Sequence, residues 1–500
     1  MPRVAASFLP PIVLDRASRA PMYRQLYEWF RRSIIEGRLR PGQRVPSTRG
    51  LAAELGISRI PVLGAFEQLL AEGYFEAFVG AGTCVARSIP EDRAGVPVAG
   101  ARSRAQEQGE RRGLRRVSRR SARWGDGGHA ARHPWTEILG PFRATLPALD
   151  QFPHEVWGKI VARHARVPPT TAMAYGDAMG YLPFREAIAE YLGVARAVQC
   201  DASQVLVTTG SQLALHLAAQ VLLDPGDRVW MEEPGYPGAR LAFTAAGARM
   251  VPVHVDDEGL DVAPHIRRAS AARAAYITPS HQYPMGTTMS AARRIMLLDW
   301  AARSGMWVIE DDYDSEYRYE SRPVASLQGQ DADGRVIYIG TFSKVLFPSL
   351  RLGYMVVPRD LVPVFAAVRD ATDIFSSVLY QAAMTDFIRE GHFARHLRRM
   401  RMLYMQRREA LVLAIRAEMG DLLEVVGTAA GMHLVALLPP RVDDVAVAME
   451  SARRGVSVIP LSSCYIKAPS RSGLILGFGG APGEQLGGAM RTLRQCVSVG

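Results

Sequence analysis

The chain carries 60 lysine and arginine residues, and only Lys159, Lys344 and Lys467 of these are lysines. Arginine stays protonated, whereas a desolvated lysine can lose its proton and form an imine with a carbonyl compound. An isolated lysine is usually a solvated loop residue, but Lys344 has informative neighbours. The apolar run Val336 to Ile339 reads as a buried strand, and Gly340, Thr341 and Ser343 follow it as a loop. Lys344 therefore projects from a strand's carboxyl end, where α/β sheets place ligands. Thr341 and Arg351 flank it as anion donors. Other strand ends bring matching groups. Gly210, Ser211 and Gln212 join the strand-like QVLVTTG to a helix start, whose N–H groups and dipole suit a phosphate. Tyr236, in EEPGYPGAR, can stack on a flat ring. Asp311 ends the apolar MWVIED and can pair with a protonated ring nitrogen, and Tyr313 lies two residues on. A lysine, a carboxylate, a stacking ring and a phosphate cradle at successive strand ends together describe a pyridoxal 5'-phosphate site.

The elements that must hold these groups follow from the pattern. From Pro141 onward, QVLVTTG, RVWMEEP, RAAYITP, MWVIEDDY and VIYIGTF alternate with helical stretches, which argues for a mainly parallel sheet covered by helices. With 500 residues and 48% hydrophobic content, the chain can bury a large core. Cys84, Cys200, Cys464 and Cys496 are scattered without a CxxC pair, so neither a disulfide framework nor a metal site is expected. The first thirty residues lack a signal-peptide pattern, and no apolar run reaches the ~18 residues of a membrane span. A cytoplasmic protein without a membrane partner is expected.

Charge divides the chain. Residues 1–87 hold 12 arginines and 7 acids, residues 88–133 hold 11 arginines and 5 acids, and the rest holds 37 charges of each sign. The formal +11 thus lies in the first quarter, which points to a polyanion partner for that part alone. Within it, MYRQLYEWFRRSIIEG, the short STRGLAAELG and RIPVLGAFEQLLAEGY read as three helices, with Ser47 and Ser58 as N-caps. FEAFVGAGTCVA, turning at Gly80-Ala81-Gly82, reads as a hairpin. Three helices and a hairpin, with a tight turn before the third helix, form a winged helix-turn-helix whose third helix enters the DNA major groove. Residues 88–133 read as a flexible Arg-rich linker. Its cluster RRGLRRVSRRSAR either adds nonspecific DNA affinity or only keeps a spacer soluble.

The motifs PGQRVPSTRGLAAELGISR and AFEQLLAEGY resemble the GntR family of bacterial regulators. YGDAMGYLPFREAIAEYL, TTGSQLAL, TPSHQYPMG, IEDDYDSEYRY and TFSKVLFPSLRLGY resemble fold-type I aminotransferases. Together the two halves resemble the MocR/GabR branch of the GntR regulators. The resemblance implies a winged helix-turn-helix in 1–87, the linker 88–133, and in 134–500 an aminotransferase-like domain that dimerises and senses a ligand. By that likeness Lys344 forms the Schiff base, Asp311 pairs with the pyridine nitrogen, Tyr313 meets the ring hydroxyl and Tyr236 stacks. Gly210, Ser211, Gln212, Thr341 and Arg351 hold the phosphate, and Tyr175 reaches the partner subunit's cofactor. Arg49, Ser58 and Arg59 approach double-stranded DNA, with Gly82 and Thr83 near the minor groove.

Two departures bear on function. The family's NPTG turn is TyrProMetGly at 283–286 here, which leaves His281 or Gln282 to replace the hydrogen bond of its asparagine. The family arginine that grips a substrate carboxylate is replaced by Ile475, leaving Arg471 or Arg240 as substitutes. The expected protein is a homodimeric regulator whose effector is an amine, an amino-acid-like molecule or pyridoxal phosphate itself. The alternative is a working aminotransferase with an accessory DNA-binding domain.

Overall fold

The structure is a computed structural model that describes all residues except 1–8, 17, 19, 79–81, 89–132, 145, 169, 268–271, 320–323, 421–422 and 499–500. Nearly all of the expected linker, and Gly80 and Ala81 of the hairpin tip, lie outside the described residues. The chain divides into two compact units, residues 1–118 and 119–500.

In the first unit, α1 (Met22–Ile35), α2 (Thr48–Leu55) and α3 (Arg59–Ala71) precede the antiparallel pair β1 (Phe75–Phe78) and β2 (Gly82–Val85). Leu26, Phe30 and Ile34 recur at helical spacing, and their side chains meet Leu51, Val62, Phe66, Leu69 and Phe75 in one core. The Phe30, Phe66 and Phe75 rings pack edge to face at 5.1–5.5 Å. Ser47 caps α2 by accepting from the Gly50 N–H, and Gly56 closes it in the left-handed region at φ 62°. Ser58 stands at the N-cap of α3, but its hydroxyl takes no capping bond.

The second unit is built on an eight-stranded sheet of order β3-β10-β9-β8-β7-β4-β5-β6. Its strands are β3 (Val205–Thr208), β4 (Arg228–Glu233), β5 (Arg249–Asp256), β6 (Gly259–Leu260), β7 (Ala274–Ile277), β8 (Trp307–Asp312), β9 (Val336–Thr341) and β10 (Gly353–Val356). The central strands β5, β4, β7, β8 and β9 run parallel, while β10 lies antiparallel to both its neighbours. The apolar runs are continuous because both faces are covered. Val229, Ala274 and Ile309 face a core with Leu215, Ala218 and Phe243. Trp230, Ala275 and Val308 face the opposite one with Leu297 and Trp300. Gly340 and Thr341, expected in a loop, complete β9, so the turn that carries Lys344 begins at Phe342. A smaller antiparallel sheet, of order β11 (Glu424–Val426), β12 (His433–Leu437), β14 (Gly473–Gly477) and β13 (Ile459–Pro460), follows the 28-residue helix His392–Met419. No described helix is long and apolar enough to cross a membrane.

Candidate functional site

The carboxyl ends of the parallel strands converge on a cavity of about 300 Å³. At one end lie Gly210 and Ser211, which open the 12-residue helix Ser211–Leu222, together with Thr341, Ser343 and Arg351. Gly210 takes φ 121°, and a Cβ there would meet the Arg351 guanidinium at 3.3 Å. The glycine thus satisfies the backbone and makes room for the cation. The free N–H groups of a helix start and a guanidinium facing one space form a phosphate cradle. The exposed Gln212 spends its amide nitrogen on the Gly238 carbonyl at 2.9 Å, tying the helix start to the loop that carries Tyr236. Gly238 is needed there, because a Cβ would fall 2.5 Å from the Tyr236 ring.

Asp311, Tyr276, Tyr236 and Lys344 line the same cavity. The Tyr276 hydroxyl donates to Asp311 Oδ2 at 2.9 Å, while Oδ1 is buried with no partner among the described residues. Burial pushes the Asp311 carboxyl up to about 7, although the Tyr276 bond and the Lys344 charge pull it back. A buried acceptor without a donor is costly, and a pyridinium N–H would satisfy it. The phosphate cradle, the orphaned carboxylate oxygen and the half-buried lysine fit pyridoxal phosphate in charge and hydrogen bonding. Burial lowers the Lys344 amine to about 8, against the upward pull of Asp314 and Asp311. Neutral amine is therefore accessible near physiological pH.

Tyr283, Tyr313 and Ile459 also line the cavity. Tyr283 packs edge to face on Tyr236 at 5.5 Å and on Tyr313 at 6.1 Å. His281 lies behind Tyr313 and is not part of the cavity wall. Its Nδ1 is 3.0 Å from the Tyr313 hydroxyl and 3.0 and 3.2 Å from the Asp314 oxygens. The Gln282 amide is consumed by the turn, donating to Glu232 and to the Pro234 and Tyr283 carbonyls and accepting from Met285 N–H. Of the two neighbours, His281 is the one that reaches the tyrosine. Below them a buried Arg196–Asp312 ion pair of 2.7 Å also holds the Ser280 hydroxyl, fixing this loop to the end of β8.

Tyr175 stands apart. It is 84% exposed and lines a second cavity with Phe375 and Tyr181, so within one chain it takes no part in this site. Ile475 is buried between Val435 and Ile459 in the small sheet. Neither cation considered in its place lines the cavity. Arg240 donates to the Tyr465 and Ser463 carbonyls, and Arg471 lines a different hollow beside Asp443 and Asp444. Tyr276, Thr278 and Ile459 line the cavity without having been sequence candidates. Tyr276 is signalled only through register: it pairs with Ile309, two residues before Asp311 on the next strand.

In the first unit, Arg49, Ser58 and Arg59 are all exposed, Gly82 is exposed and Thr83 is half-buried. The Arg59 Nε donates to Thr48 Oγ1 at 3.2 Å, which links the starts of α2 and α3. Ile60 is 79% exposed beside it. The presented start of α3 is thus cationic and apolar, suited to phosphates and groove shape more than to base hydrogen bonding.

Residues 151–474 match the family model "Aminotransferase class I and II", and residues 22–85 match "Bacterial regulatory proteins, gntR family". The chain is 40% identical to the probable rhizopine catabolism regulatory protein MocR of Rhizobium meliloti, over 97% of this chain and 95% of that one. It is 30% identical to the HTH-type pyridoxine biosynthesis transcriptional regulator PdxR of Corynebacterium glutamicum, over 98% and 99%. Among solved structures it resembles LysN, the alpha-aminoadipate aminotransferase of Thermus thermophilus, complexed with N-(5'-phosphopyridoxyl)-L-leucine. That likeness has a TM-score of 0.67 and 29% identity, covering 72% of this chain and 92% of that one.

Proposed function

The chain belongs to the MocR-type branch of the GntR regulators, with an aminotransferase class I and II domain, and from that premise we propose how it works. It is a pyridoxal-phosphate-dependent, DNA-binding transcriptional regulator that acts as a homodimer and responds to an amine. The observation that carries this reading is the joining, in one chain, of a helix-turn-helix presenting Arg49 and Arg59 to a cavity where Lys344, Asp311 and Arg351 converge.

Each residue has a part. The Gly210 and Ser211 amides, the Thr341 hydroxyl and Arg351 bind the phosphate. Asp311 accepts from the ring nitrogen, with Tyr276 orienting its second oxygen. Tyr236 stacks on the ring, and Tyr313, steadied by His281 and Asp314, faces the ring hydroxyl. When bound, pyridoxal phosphate supplies an aldehyde carbon open to primary amines. Lys344 would hold the cofactor through its amine, and an effector's primary amine would compete with Lys344 for that attachment. Displaced, the Lys344 amine can take up a proton between Asp311 and Asp314. Tyr175 belongs to the contact between subunits. The altered site biases the arrangement of the DNA-binding units by as much as the effector discriminates between the two states.

The test is fluorescence anisotropy of full-length protein on the DNA bordering its own gene, with and without cofactor and with a panel of primary amines. Affinity that depends on cofactor, shifts with an amine and loses that shift in Lys344→Ala supports the reading. Equal DNA affinity in every state would sink it. A second reading, a working aminotransferase with an accessory DNA-binding domain, is favoured by the complete ring-side set of Lys344, Asp311, Tyr236 and Arg351. Sustained product formation would establish it.

A further inference from the structure

Behind the cavity, one nitrogen has three oxygens around it. His281 Nδ1 lies 3.0 Å from the Tyr313 hydroxyl and 3.0 and 3.2 Å from the two oxygens of Asp314, and His281 and Asp314 are fully enclosed. Gly431, at φ 77°, leaves the space that this pair fills: a Cβ there would fall 2.5 Å from His281 Nδ1 and 2.7 Å from Asp314 Oδ2. The Asp314 charge, which also pulls the Lys344 amine upward, has no hydrogen to give. A bare Nδ1 would set its lone pair against that charge in a buried place, at a cost larger than an ordinary hydrogen bond recovers. Nδ1 therefore carries a hydrogen, whether or not the ring is charged. A nitrogen that donates cannot also accept. Tyr313 meets Nδ1 with its oxygen, and its own hydrogen must point elsewhere; among the described residues no other hydrogen bond engages it. Tyr313 also lines the cavity, which is where an acceptor for that hydrogen can be placed.

The surrounding groups keep this direction. Burial, with Asp314, Tyr283, Asp311 and Glu232 adding to it, holds the Tyr313 phenol well above its ordinary value, so its proton stays on. The His433 ring, 5.1 Å from that of His281, is lowered to about 4 by burial; its Nε2 is 3.1 Å from the Pro284 carbonyl and donates there. The cations that bear on this region are Lys344, which adds to the lowering of His433, and Arg143, which adds to the lowering of Lys344. We infer that His281, oriented by Asp314, is a positioning residue that fixes Tyr313 as a hydrogen-bond donor into the cavity, and that through Tyr313 it tunes how tightly the Lys344 attachment holds its proton. A hydrogen bond that Tyr313 gives to the cofactor's ring oxygen stabilises negative charge there, and so competes with the proton shared between that oxygen and the Lys344 nitrogen. The donor state of Tyr313 thus favours release of that proton, and its loss favours retention. The inference rests on placing pyridoxal phosphate at Lys344, and adds the direction of one hydrogen bond and the residues that impose it.

The test is a pH titration of the visible absorbance of full-length protein at saturating pyridoxal phosphate. Tyr313→Phe, which removes only the hydroxyl, should raise the transition by about one pH unit, the effect of one hydrogen bond to a charged group. His281→Phe frees Tyr313 to turn its hydrogen onto Asp314, and should raise the transition by about half as much or more. His281→Asn sets an amide N–H near the place of Nδ1 and should return the transition to the wild-type pH. In the Tyr313→Phe background, His281→Phe should add no further shift, because His281 acts through that hydroxyl. An equal shift in both backgrounds would mean that His281 acts on the cofactor directly, and would overturn the inference. So would a Tyr313→Phe variant that titrates like wild type, a result independent of how any His281 variant folds. A loaded wild type with no pH transition overturns it too. If wild-type protein takes up no cofactor, the reading of the cavity fails with the inference; if cofactor is taken up and the transition ignores Tyr313, only the inference fails.

Discussion

Replacing Asp311 with asparagine separates what this residue costs the fold from what it gives the cofactor. Its carboxyl is raised from an ordinary 3.8 to about 7, chiefly by burial. Below pH 3.8 the group is protonated in both folded and unfolded chains and costs nothing. As pH rises from there toward 7, the unfolded chain ionises while the folded one resists, so stability falls; above 7 the penalty is complete. At about 1.4 kcal/mol per tenfold, the full penalty comes to roughly 4 kcal/mol. Asp311→Asn removes it while keeping the shape and an acceptor for Tyr276, so the cofactor-free variant should be more stable than wild type at about pH 8. The margin should narrow steadily from about pH 7 to about pH 5. Binding should move the other way. A hydrogen bond to a charged group contributes about 1.5–3 kcal/mol, so the variant should bind pyridoxal phosphate roughly ten- to a hundredfold more weakly. Thermal melts of the cofactor-free proteins across pH and equilibrium dialysis with the cofactor measure the two effects. A variant no more stable than wild type in the mildly alkaline melt, or one that binds within about threefold of it, refutes this account of Asp311.

Borohydride should fix the cofactor covalently to the wild-type protein and not to Lys344→Ala, as mass spectrometry of the tryptic peptide would reveal. The rate of attachment to cofactor-free protein should climb with pH and level off above about 8, where the Lys344 amine becomes mostly neutral. Arg49→Ala and Arg59→Ala should each weaken DNA binding and reduce the steepness of its salt dependence by about 0.9 for each phosphate no longer neutralised; an unchanged slope in both would remove them from the interface. Ser47→Ala, which deletes the cap accepted from Gly50 N–H, should cost the first unit about 1 kcal/mol in a denaturant melt. With the best spectral ligand and an excess of keto acid, product should stop at about one per chain; repeated turnover at about one per second or faster is enzyme behaviour and would establish the aminotransferase reading.

The parts of the site legible in the sequence are those that punctuate a strand. Lys344, Asp311, Tyr236 and the Gly210–Gln212 turn each lie at or just beyond the end of a largely apolar run, and a parallel sheet brings all such carboxyl ends to one edge. Tyr276 is invisible to pattern because it lies inside β7, where every residue is buried and no periodicity marks it out. Its partnership with Asp311 exists only in the register of β7 against β8. Ile459 comes from a separate small sheet, and no local pattern ties that sheet to the cavity. The choice between His281 and Gln282 rests on a turn geometry that uses up the glutamine amide, which adjacent positions in a sequence cannot decide. β5 is hidden because Pro252 interrupts its run, and β10 because RLGYMVV reads equally well as a parallel or an antiparallel strand.

What distinguishes a sensor from an enzyme on this frame is the control of orientation. A transaminase must hold each substrate so that the bond to be broken lies across the ring plane, and must then aim a lysine at the released proton. A bidentate cation on the substrate's far side achieves the first of these. Here the cavity lining holds Tyr283, Tyr313 and Ile459, none of which can make the bidentate grip that fixes an amine's rotation about the bond to the cofactor. Exchange at Lys344 needs no such fixing. First attachment needs a neutral lysine, which burial favours by lowering the Lys344 amine to about 8, and exchange needs a neutral incoming amine and the room that the cavity offers. A site that admits an amine and leaves it rotationally loose can report the amine's presence while converting it slowly, which is the property a regulator requires of its ligand.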